Sequence, residues 1–216
     1  MEKKPAEKLD LRKQLKHLYL PSAKSVVVVD VPEMKFISID GRIEPGMAPG
    51  TSPIFQQAMG ALYAAAYTLK FTVRFRPADP IDYPVMALEG MWGTPGGGAD
   101  WTTSSEWEWT VMIMQPDFVT QDMFADAVAQ ARKKRDNPYL DKLALVDFRE
   151  GLSIQILHVG SYADEPRTVQ KMDAFAAENG YKLHGRHHEI YLGDPRKAKP
   201  ENLKTVLRHP VVADAG

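Results

Sequence analysis

Cysteine is absent from this chain. Disulfides, thiolate catalysis and cysteine-ligated metal centres are therefore excluded, and the composition suits a reducing cytosol. Long apolar runs are missing too. Val26–Val29 and Ala61–Tyr67 are far too short to span a bilayer, and the lysine-bearing start MEKKPAEKLDLRKQLKHLYL contains no secretory core. A soluble, cytoplasmic protein with no membrane partner is the expectation. Nor is there an excess of either charge. With 27 Lys and Arg against 28 Asp and Glu, the net charge is -1, which leaves no electrostatic footprint for direct nucleic-acid binding.

What the chain does have is 216 residues, 44% of them hydrophobic, enough for one large domain or two intimately packed halves. Its ten methionines and four tryptophans are soft, large side chains that suit a core or an adaptable apolar pocket.

Residues 1–24 read as a basic arm with a short helix from Asp10 to Tyr19, stopped by Pro21, its charge marking a solvated or frayed segment. SVVVVDVPEMKFISIDGRI reads as extended, and the Gly- and Pro-rich EPGMAPGTSP as a loop. A helix follows from about Pro53 to Lys70, with Thr51 or Ser52 as its cap. Tyr83–Gly93 and Glu106–Pro116 are strand candidates joined by the flexible TPGGGADWTTSS, and GTPGGG (93–98) at its start is a possible lid. After a connecting helix, Thr120 to Arg135, the pattern returns: a strand from Gly151 to Tyr162, a helix from Glu165 to Asn179, then strands in RHHEIYLGDP and KTVLRHPVV. Strand-helix-strand-strand thus occurs twice. This predicts an α+β fold with two antiparallel sheets, in a domain over 25–212 built of pseudo-repeats at about 25–118 and 119–212, with 213–216 as a tail.

Three segments, EWEWTVMIMQPDFVT (106–120), LHVGSYADEP (157–166) and HEIYLGDPRKAKPENLKTVLRHPV (188–211), resemble the GyrI-like small-molecule-binding family. The resemblance covers roughly residues 25–212 and is most specific in the third segment. It implies a duplicated fold with a central ligand cleft, in which a buried Glu and surrounding aromatics bind cationic or polycyclic compounds. Many relatives follow a DNA-binding helix-turn-helix, for which residues 1–24 leave no room. The first and third segments look closer to stand-alone members known as cyclopropanoid hydrolases, which open the strained ring of DNA-alkylating natural products. The name-giving member inhibits DNA gyrase, so a protein partner is a further alternative.

Glu189 leads the candidate residues. Alternation on a strand puts His187, Glu189 and Tyr191 on one face and His188, Ile190 and Leu192 on the other, and the apolar set is expected to face the helices. In a dry pocket Glu189 neutralises a cationic ligand or, with a raised pKa, acts as acid or base. Glu165, at a helix start, serves as a cap or as the second acid–base group; Glu89 and Glu108 are weaker candidates. Trp107 and Trp109 share a strand face and offer a flat aromatic wall, while Trp92, Tyr162 and Tyr191 sit at strand ends where they line a cleft mouth. Tyr63 and Tyr67, beside the apolar stripe of their helix, are core-boundary or ligand-contact residues. His158 reads as a satisfied core or edge histidine. No cofactor is called for, and HGRHHE lacks a third metal ligand at a recognisable spacing.

Overall fold

The computed structural model describes residues 5–94 and 107–214. Along the chain run β1 (Glu7–Lys8), α1 (Leu11–Gln14), α2 (Lys16–Tyr19), β2 (Val27–Arg42), α3 (Pro53–Phe75), β3 (Ile81–Asp82), β4 (Leu88–Gly93), β5 (Glu108–Gln115), α4 (Gln121–Lys134), β6 (Ala144–Val159), α5 (Glu165–Glu178), β7 (Tyr181–Leu183), β8 (His187–Tyr191) and β9 (Lys204–Ala213). Strand-helix-strand-strand occurs twice, as β2-α3-β4-β5 and β6-α5-β8-β9, with the short β3 interposed in the first copy and the short β7 in the second. The fold is mixed α+β. Its main sheet has the strand order β6-β2-β5-β4-β8-β9-β7, and β6 also pairs with β9, so the ladder closes on itself. Most of the expected sequence boundaries shift by a residue or two. Among the larger shifts, α3 runs on to Phe75 rather than ending at Lys70, β4 begins at Leu88 rather than Tyr83, β6 begins at Ala144 rather than Gly151, and the Asp10–Tyr19 helix is two single turns broken at Leu15.

Two compact units are built from these elements. The first comprises residues 1–15, 34–86 and 111–148. Its long helix α3 starts where Ser52 accepts a hydrogen bond from the Phe55 amide and Pro53 occupies the first turn. The buried stripe of α3 is Phe55, Ala58, Ala61, Leu62, Ala65, Ala66, Leu69 and Val73. Those alanines let α4 pack closely through its own Ala127 and Ala131.

The second unit comprises residues 16–33, 87–110 and 149–216, and it holds most of the candidate site residues. Strand register decides which face each side chain takes. Glu189 is paired with Leu207, and Leu207 with Ile156; cross-strand partners share a face. Leu207 and Ile156 form a core with Met172 and Ala176 of α5. The helix therefore covers the face of Glu189, not the face of His188 and Ile190 as alternation with apolar-toward-helix predicts. The reason lies on the opposite side. There His188 pairs with Arg208, and Arg208 with Gln155, all fully buried.

That opposite face carries a closed polar network. His188 lies between Glu150 (Nδ1 to Oε2, 3.0 Å) and Glu89 (Nε2 to Oε2, 3.1 Å). Arg208 donates to Glu150 (3.1 Å), Gln155 (3.0 Å) and the Leu18 carbonyl (2.7 Å). Gln155 in turn donates to the His17 carbonyl at 2.7 Å. Burial disfavours both ions of the His188–Glu150 pair, yet their mutual attraction prevails: His188 is held up at about 9, and Glu150, helped by Arg208, is held down at about 2. Buried charges persist only when paired and hydrogen-bonded in this way.

The network also changes the reading of the N-terminal arm. A solvated arm is what its charge predicts, but Leu11, Leu18 and Tyr19 are buried. The Tyr19 hydroxyl donates to Glu89 Oε1 at 2.6 Å. Tyr19→Phe removes the hydrogen bond to a buried carboxylate oxygen, and we expect it to cost about 1–3 kcal/mol in urea denaturation. An unchanged midpoint would show that the arm is not anchored through this contact.

Candidate functional site

On the α5 side of the second unit, Glu189, Glu165, Tyr191, Trp92, Tyr162 and His187 come together. Trp92 Nε1 donates to the Tyr191 hydroxyl at 2.9 Å, and that hydroxyl donates to Glu189 Oε2 at 2.7 Å. The chain of donors runs in one direction and ends on a carboxylate oxygen, which favours the charged form of Glu189. Tyr162, 40% exposed, sets its ring edge-on to Tyr191 with centroids 5.9 Å apart. Only 16% of the Glu189 side chain is exposed.

Glu165 is the first residue of α5 and is 5% exposed. Its position follows from the tight turn after β6. Gly160 takes φ +147, a conformation that L side chains rarely adopt, and a Cβ there would lie 3.2 Å from His158 Nε2. His158 Nε2 is 3.0 Å from the Ser161 carbonyl, and Nδ1 is 2.9 Å from Thr168 Oγ1 on α5. A carbonyl only accepts, so Nε2 carries a proton and donates. His158 is thus the satisfied histidine expected from its position, and it ties the turn to the helix that carries Glu165. The carboxylate is not consumed by capping: Glu165 Oε1 is buried without a hydrogen bond, and the nearby Thr205 hydroxyl makes none of good geometry.

The two carboxyl groups perturb each other. Burial raises Glu165 to about 9, with the charge of Glu189 adding to the effect and Thr205 opposing it. Burial also raises Glu189, to about 7, against the Tyr191 hydrogen bond and the His188 charge. Of the two, Glu165 therefore holds its proton more tightly and Glu189 ionises first. His187 lies 3.7 Å from Glu189 Oε1, but burial and the neighbouring His209 and His188 lower its pKa to about 3. It is a neutral imidazole, so this approach is not an ion pair.

Other candidates fall elsewhere. Glu89 is buried in the opposite-face network, bound by Tyr19 and His188. Glu108 is half-buried beside Arg186, at 3.5 Å. Trp109 is wholly buried, while Trp107, just before β5, keeps some exposure. Tyr63 and Tyr67 belong to the first unit, where they begin an exposed ring ladder on α3 that continues through Phe71 and Phe75. Most of the candidate lid at 93–98 lies outside the described residues. Among the described residues no group of three His, Asp or Glu could hold a metal, and no helix is long and apolar enough to cross a membrane.

Arg208, Glu150, Gln155, Thr205 and Gly90 carried no weight in the sequence reading. The one available signal was an arginine in the apolar strand KTVLRHPVV, which implies a buried partner. The Asp-Pro-Arg motif after β8 proves to be a turn clasp, Arg196 donating to both Asp194 oxygens at 2.9 and 3.0 Å.

A duplicated strand-helix-strand-strand chain with a partly buried carboxylate among aromatics defines a class of small-molecule-binding α+β proteins. The family of GyrI-like small molecule binding domains matches residues 24–212, and this chain belongs to it. Similar solved structures come from Listeria innocua. An uncharacterized conserved protein is 38% identical, with a TM-score of 0.84 over 94% of this chain and 100% of that one. A protein described as a hydrolase is 37% identical, with a TM-score of 0.81 over 95% and 100%. The C-terminal domain of EcmrR shares the fold at 13% identity and a TM-score of 0.52, over 88% of this chain and 98% of that one. A comparison with curated proteins found no match.

Raised carboxyls leave a signature in stability. A group whose folded pKa exceeds its unfolded value binds its proton more tightly when folded, so its contribution is present at low pH and lost as pH rises. For Glu165 the window runs from its ordinary 4.5 to about 9. Glu165→Gln should therefore gain on the parent protein between pH 5 and pH 9 in urea melts. A constant difference across that range would show that Glu165 is not a buried acid.

Proposed function

We propose that this protein is a hydrolase acting on small, electrophilic, aromatic molecules, with Glu189 as general base and Glu165 as general acid. The observation that carries the reading is the pair of carboxyls with unequal surroundings. Tyr191 donates to Glu189, whereas Glu165 has no donor of good geometry. Such inequality separates an acid from a base at one pH. The hydrolase description of a Listeria innocua protein at 37% identity, matched over its whole length, supports it.

For a cyclopropane conjugated to a dienone, the resemblance noted in the sequence supplies a concrete substrate class. Glu189 takes a proton from water as the water oxygen bonds to the ring CH2. The strained C–C bond breaks, its electron pair rearomatises the ring, and Glu165 protonates the former carbonyl oxygen to give a phenol. The sum is addition of one water, and solvent returns the proton from Glu189 to Glu165. Ring strain supplies much of the driving force, and the carboxyls supply the typical 10²–10⁴-fold of general acid–base catalysis.

A second reading, binding without turnover, is favoured by the exposed Tyr162 ring standing on Tyr191 beside Glu189. That arrangement suits polycyclic or cationic xenobiotics.

Incubation with a duocarmycin-type cyclopropane, followed by mass spectrometry, distinguishes the two. We expect a water adduct that forms with turnover, is lost in Glu189→Gln and slows at least about 100-fold in Glu165→Gln. Turnover that persists in Glu189→Gln removes Glu189 from the mechanism. Quenching of tryptophan emission without any adduct leaves a binder.

A further inference from the structure

The hydrogen bond between Trp92 and Tyr191 joins residues that the strand register holds apart. On the antiparallel pair β4–β8, Trp92 stands opposite His187 and Tyr191 opposite Leu88. Their positions are four residues apart along the strands, roughly 13 Å at about 3.4 Å per residue. To meet at 2.9 Å, both side chains must lean toward each other along the sheet. The pair midway between them is Gly90 opposite Glu189, on the same face. Their meeting point lies directly over residue 90. A Cβ built there would sit 2.9 Å from Trp92 Nε1, 3.3 Å from Trp92 Cε2 and 3.2 Å from the Tyr191 hydroxyl. The first of these is a separation that real Cβ atoms essentially never show.

We propose that Gly90 is a positioning residue of the site: its bare Cα holds open the space in which the Trp92 indole reaches the Tyr191 hydroxyl and aims it at Glu189. Gly90 needs no unusual backbone here, since it is absent from the positive-φ glycines. Its role is room, not conformational freedom. Nor can the clash be relieved cheaply. Trp92 is 7% exposed, so its rigid indole is enclosed, and Tyr191 is held on its far side by Tyr162 and Glu189. A methyl at 90 therefore displaces one end of the relay. Tyr191 then loses the donor that fixes which way its own proton points.

This inference rests on the proposed reaction for its kinetic consequence but not for its structural one, and the experiment separates them. In ¹⁵N-labelled protein the Trp92 indole N–H resonance is assigned by its loss in Trp92→Phe. In Gly90→Ala we expect that resonance to move upfield, as a weakened hydrogen bond requires. On a hydrolysed substrate kcat should fall about 10- to 100-fold, the scale of an ångström-sized misplacement.

The acid limb of the rate profile should move to higher pH, because Glu189 loses an oriented donor that lowers its pKa. The other titratable groups near Glu189 are Glu165 of α5 and His187 and His188 of its own strand, and none of them is among the three atoms nearest to a Cβ built at residue 90. Gly90→Ala combined with Trp92→Phe should be no slower than Trp92→Phe alone, since the shared contact is already gone. Should Gly90→Ala fold poorly, the double variant should recover its melting temperature, the Phe ring leaving space for the methyl. An unmoved indole resonance, or a double variant whose losses simply add, overturns the proposal. A shifted resonance in a protein that hydrolyses nothing leaves Gly90 in its role and removes the proposed reaction instead.

Discussion

The imidazolium of His188, held between Glu89 and Glu150 and backed by Arg208, is the interaction on which the second unit turns. Isolated, any one of these four ions would be expelled from a dry interior. Together they are neutral in sum, with Glu150 hydrogen-bonded to both His188 and Arg208 and Glu89 ion-paired to His188. Because the cluster must be buried, it claims one face of β4, β6, β8 and β9, and strand alternation sends Glu189, Trp92 and Tyr191 to the other. Glu189, the proposed base, and His188, the centre of the ion cluster, are consecutive residues on opposite sides of one strand. The N-terminal arm joins the same arrangement through Tyr19 and the carbonyls of His17 and Leu18, so it is part of the unit's packing rather than an appendage.

On the side of the candidate site the logic is inverted. Where the cluster matches charge with charge, Glu165 and Glu189 are placed in each other's field with few donors. Burial raises both pKa values, the charge of Glu189 raises Glu165 further, and the Tyr191 hydrogen bond keeps the two unequal. A single strand thus separates a region built for stability from one that holds unrelieved electrostatic tension, the usual mark of a functional site.

Much of this was legible along the chain. The HEIY segment marked Glu189, and the helix start after Gly-x-Tyr marked Glu165 and Tyr162. The twofold strand-helix-strand-strand order followed from periodicity and turn residues, and the family follows from the match over residues 24–212. Less legible was which face the helix would cover. Alternation at His187–Tyr191 separates two sets of side chains without saying which is inside. The apolar Ile190 suggested one answer, whereas the neighbouring strand's Leu207 supplied the other.

By itself, then, the sequence determined local periodicity, the capping of the helices and the identity of the carboxylate-bearing strand, because these depend on residues within a few positions of one another. Tertiary structure alone decided that Glu89 belongs to the ion cluster and not beside Glu165 and Glu189, and that His188, Glu150, Arg208 and Tyr19 gather around it. It also decided that Gly90 lies beneath the Trp92–Tyr191 contact. These are matters of strand register between segments up to 190 residues apart, as with Arg208 and the Leu18 carbonyl. A pattern of period two specifies a face only after the partner strand and its alignment are known.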